Sequence, residues 1–236
     1  MIEFKEVIKL YGSTIAIDRI NLKLPETGIY CLLGRNGAGK TTFMKLLAGH
    51  IAATNGKITV DGKPISPGHM PENVNFTASG GDLFNIKVSS LIDMAEALNN
   101  DFDLDFALKM MECFELAPDK KYKALSFGMK TMLTTIITLA KNSGTVLLDE
   151  PTLGFDPIMR DQFNALLLDS YSLHPRLIIV STHLIYEIAK VSERLIIIDH
   201  GRILLESGIN DIDGAGTENF DLQNFFINLV GGKSNE

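Results

Sequence analysis

Residues 29–42 read IYCLLGRNGAGKTT, and this stretch decides the fold. Five apolar residues predict a short buried strand, and the nine residues that follow fit the pattern G-x-x-x-x-G-K-[ST]. In that pattern backbone N–H groups cradle phosphate oxygens, and the helix after the loop directs its positive end at them. The sequence therefore predicts a phosphate-binding loop between a strand and a helix at 41–49. The residues of this loop are Gly34, Arg35, Asn36, Gly37, Ala38, Gly39, Lys40, Thr41 and Thr42.

A second motif supplies carboxylates. Residues 146–151 read VLLDEP, an apolar strand that ends in Asp149 and Glu150. A phosphate loop beside two carboxylates is typical of proteins that hydrolyse a nucleoside triphosphate. Lys40 is predicted to pair with the β- and γ-phosphates of that nucleotide, while Thr41 and Asp149 hold Mg²⁺. Glu150 is predicted to orient the water that attacks the γ-phosphate. The alternative for these two carboxylates is an ordinary strand end followed by a turn.

A histidine follows another apolar strand. His183 closes the segment VSTH, so the topology of a parallel sheet would bring it to the same edge as the carboxylates. We predict contact with the γ-phosphate, which makes Glu150, His183 and Lys40 the candidate catalytic residues. The alternative is a surface histidine or a satisfied core histidine.

Strands alternate with helices along most of the chain, which predicts an α/β fold with a mostly parallel sheet. An antiparallel β-subdomain is expected at the N-terminus, and a helical period from about 88 to 139 predicts an inserted α-helical subdomain. The C-terminal helix is expected to pack on the core, with partner docking as the alternative. The predicted single domain comprises an ATPase core at 1–84 and 145–210, a helical subdomain at 85–144, and a C-terminal helix (about 218–230) and tail at 211–236.

Composition limits the classes of function. The chain has 236 residues and a net charge of −7, so it offers no basic field for nucleic acid. No run of about 18 apolar residues is present, so no membrane span is predicted. Cys31 lies in a predicted strand and Cys113 in a predicted helix, and both are expected to be buried free thiols.

Taken in order, these motifs resemble the ATP-binding subunits of ABC transporters. The matching elements are GRNGAGKTT at 34–42, LSFGM at 125–129, VLLDEPT at 146–152, LGFDP at 153–157 and the histidine of STH at 181–183. The resemblance covers about residues 1–210. It implies a P-loop ATPase that binds ATP and Mg²⁺.

The resemblance also implies partners. Two such subunits would sandwich ATP, with Ser126 and Gly128 reaching the γ-phosphate held by the other subunit and Asp156 lying at the dimer seam. Tyr11 would stack on adenine, or else pack on the core. A separate transmembrane permease is implied, with the chain on the cytoplasmic face of the cell membrane. The second ATP-binding subunit could be a copy of this chain or a different one.

The chain departs from the family pattern in three places. Phe127 and Met129 replace the first Gly and the Gln of LSGGQ, and LSxGM variants favour exporters of drugs, antibiotics or peptides. The segment LGFD replaces SGLD, with Leu153 and Phe155 substituted.

The third departure is a missing glutamine. The chain has no Gln before Gln162, and the family's Q-loop position falls near Ser79. We hypothesise that Ser79 or Asp82 substitutes through water, with weaker Mg²⁺ coordination or altered coupling.

Two other functions are consistent with the motifs. One is a soluble ABC-type ATPase in translation, repair or assembly. The other is a nucleotide-binding module that does not turn over, which Glu150 and His183 argue against.

Overall fold

The computed structural model describes residues 1–65, 70–79, 84–184, 190–212 and 222–231. Within these ranges the chain forms ten strands and six α-helices. In chain order they are β1 Ile2–Tyr11, β2 Thr14–Leu24, β3 Gly28–Leu33, α1 Lys40–Leu47, β4 Asn55–Val60, β5 Lys63–Pro64, β6 Val74–Ala78, α2 Val88–Ala97, α3 Leu104–Cys113, α4 Phe127–Ala140, β7 Thr145–Asp149, α5 Pro157–Leu173, β8 Leu177–Thr182, β9 Arg194–Asp199, β10 Arg202–Gly208 and α6 Leu222–Gly231.

The central sheet has six strands in the order β10-β9-β3-β8-β7-β6. Five of them pair in parallel, and β10 runs antiparallel to β9. Every residue of β3, β7 and β8 is buried, as expected for strands covered on both faces. Because β3, β7 and β8 run parallel, their carboxyl ends meet at one edge of the sheet.

A second sheet of four antiparallel strands, ordered β2-β1-β4-β5, covers one face of the central sheet. The residues of β3 alternate between two cores, so that Tyr30 and Leu32 pack toward the antiparallel sheet and α1. Phe4 of β1 stacks on Phe43 of α1 with ring centroids 4.8 Å apart. Helix α1 is thus held between two sheets, which fixes the position of the loop in front of it.

The opposite face of the central sheet packs against helices. Cys31 and Leu33 of β3 share a core with buried side chains of α2, α3, α4 and α5. Helices α2, α3 and α4 lie in the chain between β6 and β7, two strands that are paired neighbours in the sheet. Leu222 and Val230 of α6 are buried in the same core, as the sequence predicted for a C-terminal helix that packs. No helix of the described ranges is long and apolar enough to cross a bilayer.

The predicted fold class is confirmed, and several details differ. Cys113 was predicted to be buried, but it is exposed. The buried stripe of α3 runs through Phe106, Ala107, Met110 and Met111, and Cys113 lies roughly 90° around the helix from its centre. Strands β5 and β10 were not predicted. The alternation of strands and helices also predicts a helix at 184–191, which lies largely outside the described residues. The start of the predicted C-terminal helix, at 218–221, lies wholly outside them.

Candidate functional site

The loop between β3 and α1 has a backbone that its glycines make possible. Gly37 and Gly39 have φ angles of 82° and 112°, a region that side chains strongly disfavour. A Cβ on Gly39 would lie 2.7 Å from the carbonyl oxygen of Ala16, and one on Gly34 would lie 2.5 Å from that of Ile198. The loop is therefore packed against β2 and β9 with no room for a side chain at 34 or 39.

The rest of the predicted loop surrounds this backbone. Gly34 and Ala38 are buried, whereas Arg35, Asn36 and Gly37 are exposed, and Thr42 is partly buried. Helix α1 begins at Lys40 after Gly39, which offers no side chain to cap the first amides. The uncapped N–H groups of the first turn leave a positive end at the loop, which favours an anion there.

Lys40 is buried and makes three contacts. Its Nζ donates to the carbonyl oxygens of Gly34 at 2.7 Å and Arg35 at 3.3 Å. It also lies 3.1 Å from Oε1 of Glu150, whose side chain is 20% exposed. The ammonium group thus connects the loop to the carboxylate that follows β7.

Thr41 and Asp149 also bridge the loop and β7. The Thr41 hydroxyl donates to Oδ2 of Asp149 at 2.7 Å. A hydroxyl and a carboxylate oxygen at this separation are both ligands of the hard kind that Mg²⁺ prefers. The sequence predicted that Thr41 and Asp149 hold one ion, and the structure brings their oxygens into contact.

Ser181 was missed by sequence reasoning, although it bonds the carboxylate of Asp149 and the backbone of Glu150. It lies opposite Asp149 in the parallel register of β7 and β8. Its hydroxyl donates to Oδ1 of Asp149 at 2.5 Å and accepts from the N–H of Glu150 at 3.0 Å. Ser181 is also completely buried. A polar residue inside the apolar run LIIVST was the available signal.

His183 lies within reach of Glu150. Its Nδ1 is 2.9 Å from Oε2 of the carboxylate, and its side chain is 35% exposed. In a contact with an ionised carboxylate, which only accepts hydrogen bonds, Nδ1 is the nitrogen that donates. Glu150 has a φ of 49° and is held by its N–H bonds to Ser181. Lys40, Thr41, Asp149, Glu150 and His183 therefore form one cluster, as predicted.

Cys31 lies beneath this cluster in β3 and is chemically quiet. Burial raises the pKa of its thiol to about 12, and the negative charge of Glu150 adds to this effect while Lys40 opposes it. Because the thiolate is the reactive form, a thiol with this pKa is a poor nucleophile.

The remaining predicted residues form a second group. Ser126 caps α4 by accepting from the N–H of Met129, and Asp156 caps α5 by accepting from that of Met159. Gly128 is buried, and a Cβ there would lie 3.3 Å from Cε of Met159. The N-terminal ends of α4 and α5 are therefore packed side by side.

Tyr11 lies at the end of β1 and is about half exposed. The Nζ of Lys9 stands 5.2 Å from its ring centroid and also donates to the carbonyl oxygen of Ala52 at 2.8 Å. The cation stabilises one orientation of the ring. Lys9 was not among the predicted residues; its two-residue spacing from Tyr11 along one strand was the available signal.

Comparison with known proteins identifies the family. Residues 17–153 match the family model described as ABC transporter. The chain is 27% identical to the ABC transporter ATP-binding protein YtrB of Bacillus subtilis, over 98% of this chain and 80% of the relative. It is 28% identical to the lantibiotic transport ATP-binding protein SrtF of Streptococcus pyogenes, over 98% of this chain and 97% of the relative.

A solved structure has the same fold. It is a dimeric post-hydrolysis state of the ATP-binding cassette MJ0796 bound to ADP and Pi, with a TM-score of 0.78 and 21% identity. The alignment covers 89% of this chain and 99% of that one. This fold, the glycine loop with its carboxylate cluster, and the family match agree: the chain belongs to the ABC transporter family, as one of its ATP-binding chains.

Proposed function

We propose that this chain hydrolyses ATP, with Glu150 as the group that orients the attacking water. The observation that carries the proposal is the double contact of the Glu150 carboxylate, with Lys40 on one oxygen and His183 on the other. A carboxylate fixed on both sides at the mouth of a phosphate loop is held in one orientation, as a general base requires.

Mg²⁺ fits the pair Thr41 and Asp149. Their facing oxygens are 2.7 Å apart, and Mg²⁺ in nucleotide sites takes one or two protein oxygens beside phosphates and water. When bound, the ion would neutralise charge on the phosphate oxygens. Thr41 and Asp149 would hold it, and Ser181 would keep Asp149 turned toward it.

Side chains and backbone groups of this chain would bind the phosphates and activate the water. Lys40 and the first N–H groups of α1 would bind the β- and γ-phosphates. Glu150 would accept a hydrogen bond from the water and take its proton as the oxygen attacks. With both ring nitrogens protonated, His183 would donate through Nδ1 to Glu150 and through Nε2 to a γ-phosphate oxygen.

Tyr11 would bind the adenine base of ATP. A half-exposed aromatic ring, held on one side by Lys9, suits stacking against adenine. Because stacking does not read hydrogen-bond patterns, this contact would add affinity with little discrimination among bases.

The second group of residues would act on a partner's nucleotide. We propose that Ser126, Gly128 and Asp156 face a second subunit when ATP is bound. Ser126 stands at the start of α4, where the helix dipole favours an anion. The dimeric state of the cassette MJ0796 is consistent with such an arrangement. ATP binding would then close a dimer, of two copies or of this chain with a second ATP-binding chain, and hydrolysis would open it.

The membrane partner would be a separate permease on which this chain sits at the cytoplasmic face. Relatives that span nearly the whole chain include a protein named for lantibiotic transport. Together with the LSxGM variant at 125–129, this supports an exporter of drugs, antibiotics or peptides. A mild-detergent pull-down from native membranes tests the assignment: a polytopic membrane protein should copurify, whereas ribosomal or repair proteins in its place would contradict it.

A trapping experiment tests the nucleotide chemistry. Glu150→Gln keeps the shape of the side chain but cannot take a proton, so it should bind ATP and accumulate as a dimer on size-exclusion chromatography. Glu112→Gln, an exposed change on α3, is the matched control and should behave as the parent protein. A monomeric Glu150→Gln protein in saturating ATP would contradict a dimer of two copies of this chain.

A further inference from the structure

An exposed aromatic ring covers a glycine beside the catalytic cluster. Phe127, the first residue of α4, is 46% exposed although it is large and apolar. A Cβ built on Gly154 would lie 3.0 Å from Cδ1 of Phe127, so the ring lies directly against the backbone there. Gly154 has a φ of 79°. The ring and the glycine are therefore matched: any side chain at 154 would meet the ring and would also be strained.

Gly154 belongs to a turn that starts at Glu150. The N–H of Leu153 donates to the carbonyl oxygen of Glu150 at 3.2 Å, and that of Phe155 donates to Thr152 at 3.1 Å. Phe155 anchors the far end of this turn, because its side chain is buried edge-on against Phe163. The turn at 150–155 is thus fixed at both ends, and Phe127 covers its middle.

The near end of the turn is under backbone strain. Glu150 has a φ of 49°, which a residue with a side chain adopts only when its surroundings impose it. Bonds to Ser181 hold Glu150 from one side. On the other side its carbonyl oxygen accepts from the N–H of Leu153 in the turn. A change in the packing of the turn would therefore move Glu150 and its carboxylate.

We propose that Phe127 is a positioning residue that braces the 150–155 turn and so fixes the orientation of Glu150. The proposal rests on the proposed function in that Glu150 orients the water. It joins two departures from the family pattern, the aromatic at 127 and the segment at 153–156, into one packing unit. The start of α4 and the catalytic carboxylate are thereby coupled within one subunit.

The first test needs no nucleotide. Phe127→Ala should raise the hydrogen-exchange rates of the Leu153 and Phe155 amides about tenfold, the factor expected from losing part of one packed aromatic side chain. Leu104→Ala changes the corresponding first residue of α3 and is the matched control, which should leave both amides unchanged. Equal protection of both amides in Phe127→Ala and the parent protein would overturn the brace, whatever the ATPase result.

The second test measures turnover. Phe127→Ala should lower kcat about tenfold with the KM for ATP within about twofold, because a displaced base costs rate rather than binding. Phe127→Leu, which keeps an apolar group over Gly154, should recover most of the rate. A fall in both amide protection and kcat that Leu restores supports the proposal; an unchanged kcat overturns it.

A double-mutant cycle decides whether Phe127 acts through Gly154. Gly154→Ala should lower kcat more in the parent protein than in Phe127→Ala, where the ring no longer meets the new methyl group. Additive effects would overturn the proposal. If Glu150→Gln retained full hydrolysis, the proposed role of Glu150 would be refuted. The hydrogen-exchange rates of the Leu153 and Phe155 amides would still test whether Phe127 stabilises the turn.

Discussion

Ser181 joins the two carboxylate residues of the site, and Ser181→Ala tests how they are held. The hydroxyl donates to Oδ1 of Asp149 at 2.5 Å and accepts from the Glu150 N–H at 3.0 Å. The Glu150 N–H also has the Ser181 carbonyl oxygen at 3.2 Å, so this donor keeps a partner in the variant. The loss therefore falls on Asp149, which is 6% exposed.

The expected magnitude follows from one hydrogen bond to a buried charge. Such bonds contribute about 1.5–3 kcal/mol, so the free energy of unfolding should fall by about 2 kcal/mol. For a chain of this size that corresponds to a decrease of roughly 4–8 °C in Tm. Changes to residues that orient a metal ligand typically cost about 10- to 100-fold in metal affinity or activity. The Mg²⁺ concentration that half-saturates ATP hydrolysis should therefore rise at least about tenfold.

The control is Ser170→Ala, another buried serine bonded to a charged group. Ser170 accepts from Nη2 of Arg176 at 2.6 Å, and neither residue belongs to the candidate site. Arg176 keeps the carbonyl oxygen of Leu139 at 2.9 Å as a partner. We expect a comparable loss of stability in urea denaturation and an unchanged Mg²⁺ requirement. If both variants had the same Mg²⁺ dependence, the role given to Ser181 would be refuted.

Three further outcomes are expected. A thiol reagent should modify Cys113 alone in the folded protein, because Cys31 is buried with its pKa raised to about 12; two fast-reacting thiols would contradict this. Gly39→Ala should lower Tm far more than Gly37→Ala, since a Cβ at 39 meets a carbonyl oxygen at 2.7 Å while at 37 it meets no atom within 4 Å; equal losses would refute the steric argument. Ser79→Gln, beside the Asp149 carbonyl oxygen, should raise ATPase activity or change its coupling to the membrane partner, and no effect on either would count against the missing-glutamine hypothesis.

The sequence predicts the parts of the candidate site that depend on short-range spacing. The loop at 34–42 is a local pattern, and its conformation requires glycine at fixed positions. Asp149, Glu150 and His183 were predicted because each follows an apolar strand, and the carboxyl ends of parallel strands share an edge. Asp82, the second residue proposed to replace the glutamine, lies outside the described residues.

Contacts that depend on register or packing were not predictable. Ser181 bonds Asp149 because β7 and β8 pair in one register, which the apolar runs alone do not fix. The contact of Phe127 with Gly154 depends on how α4 packs on the turn after β7. Cys113 illustrates the same point, since a three- or four-residue period leaves the edge of a helical stripe undefined.

Phosphate release by the purified protein tests the central claim most directly. With saturating ATP and Mg²⁺, Glu150→Gln should release phosphate at least about 100-fold more slowly than the parent protein while binding ATP with similar affinity. Glu112→Gln should match the parent protein in both measurements. Undiminished phosphate release by Glu150→Gln would contradict the account.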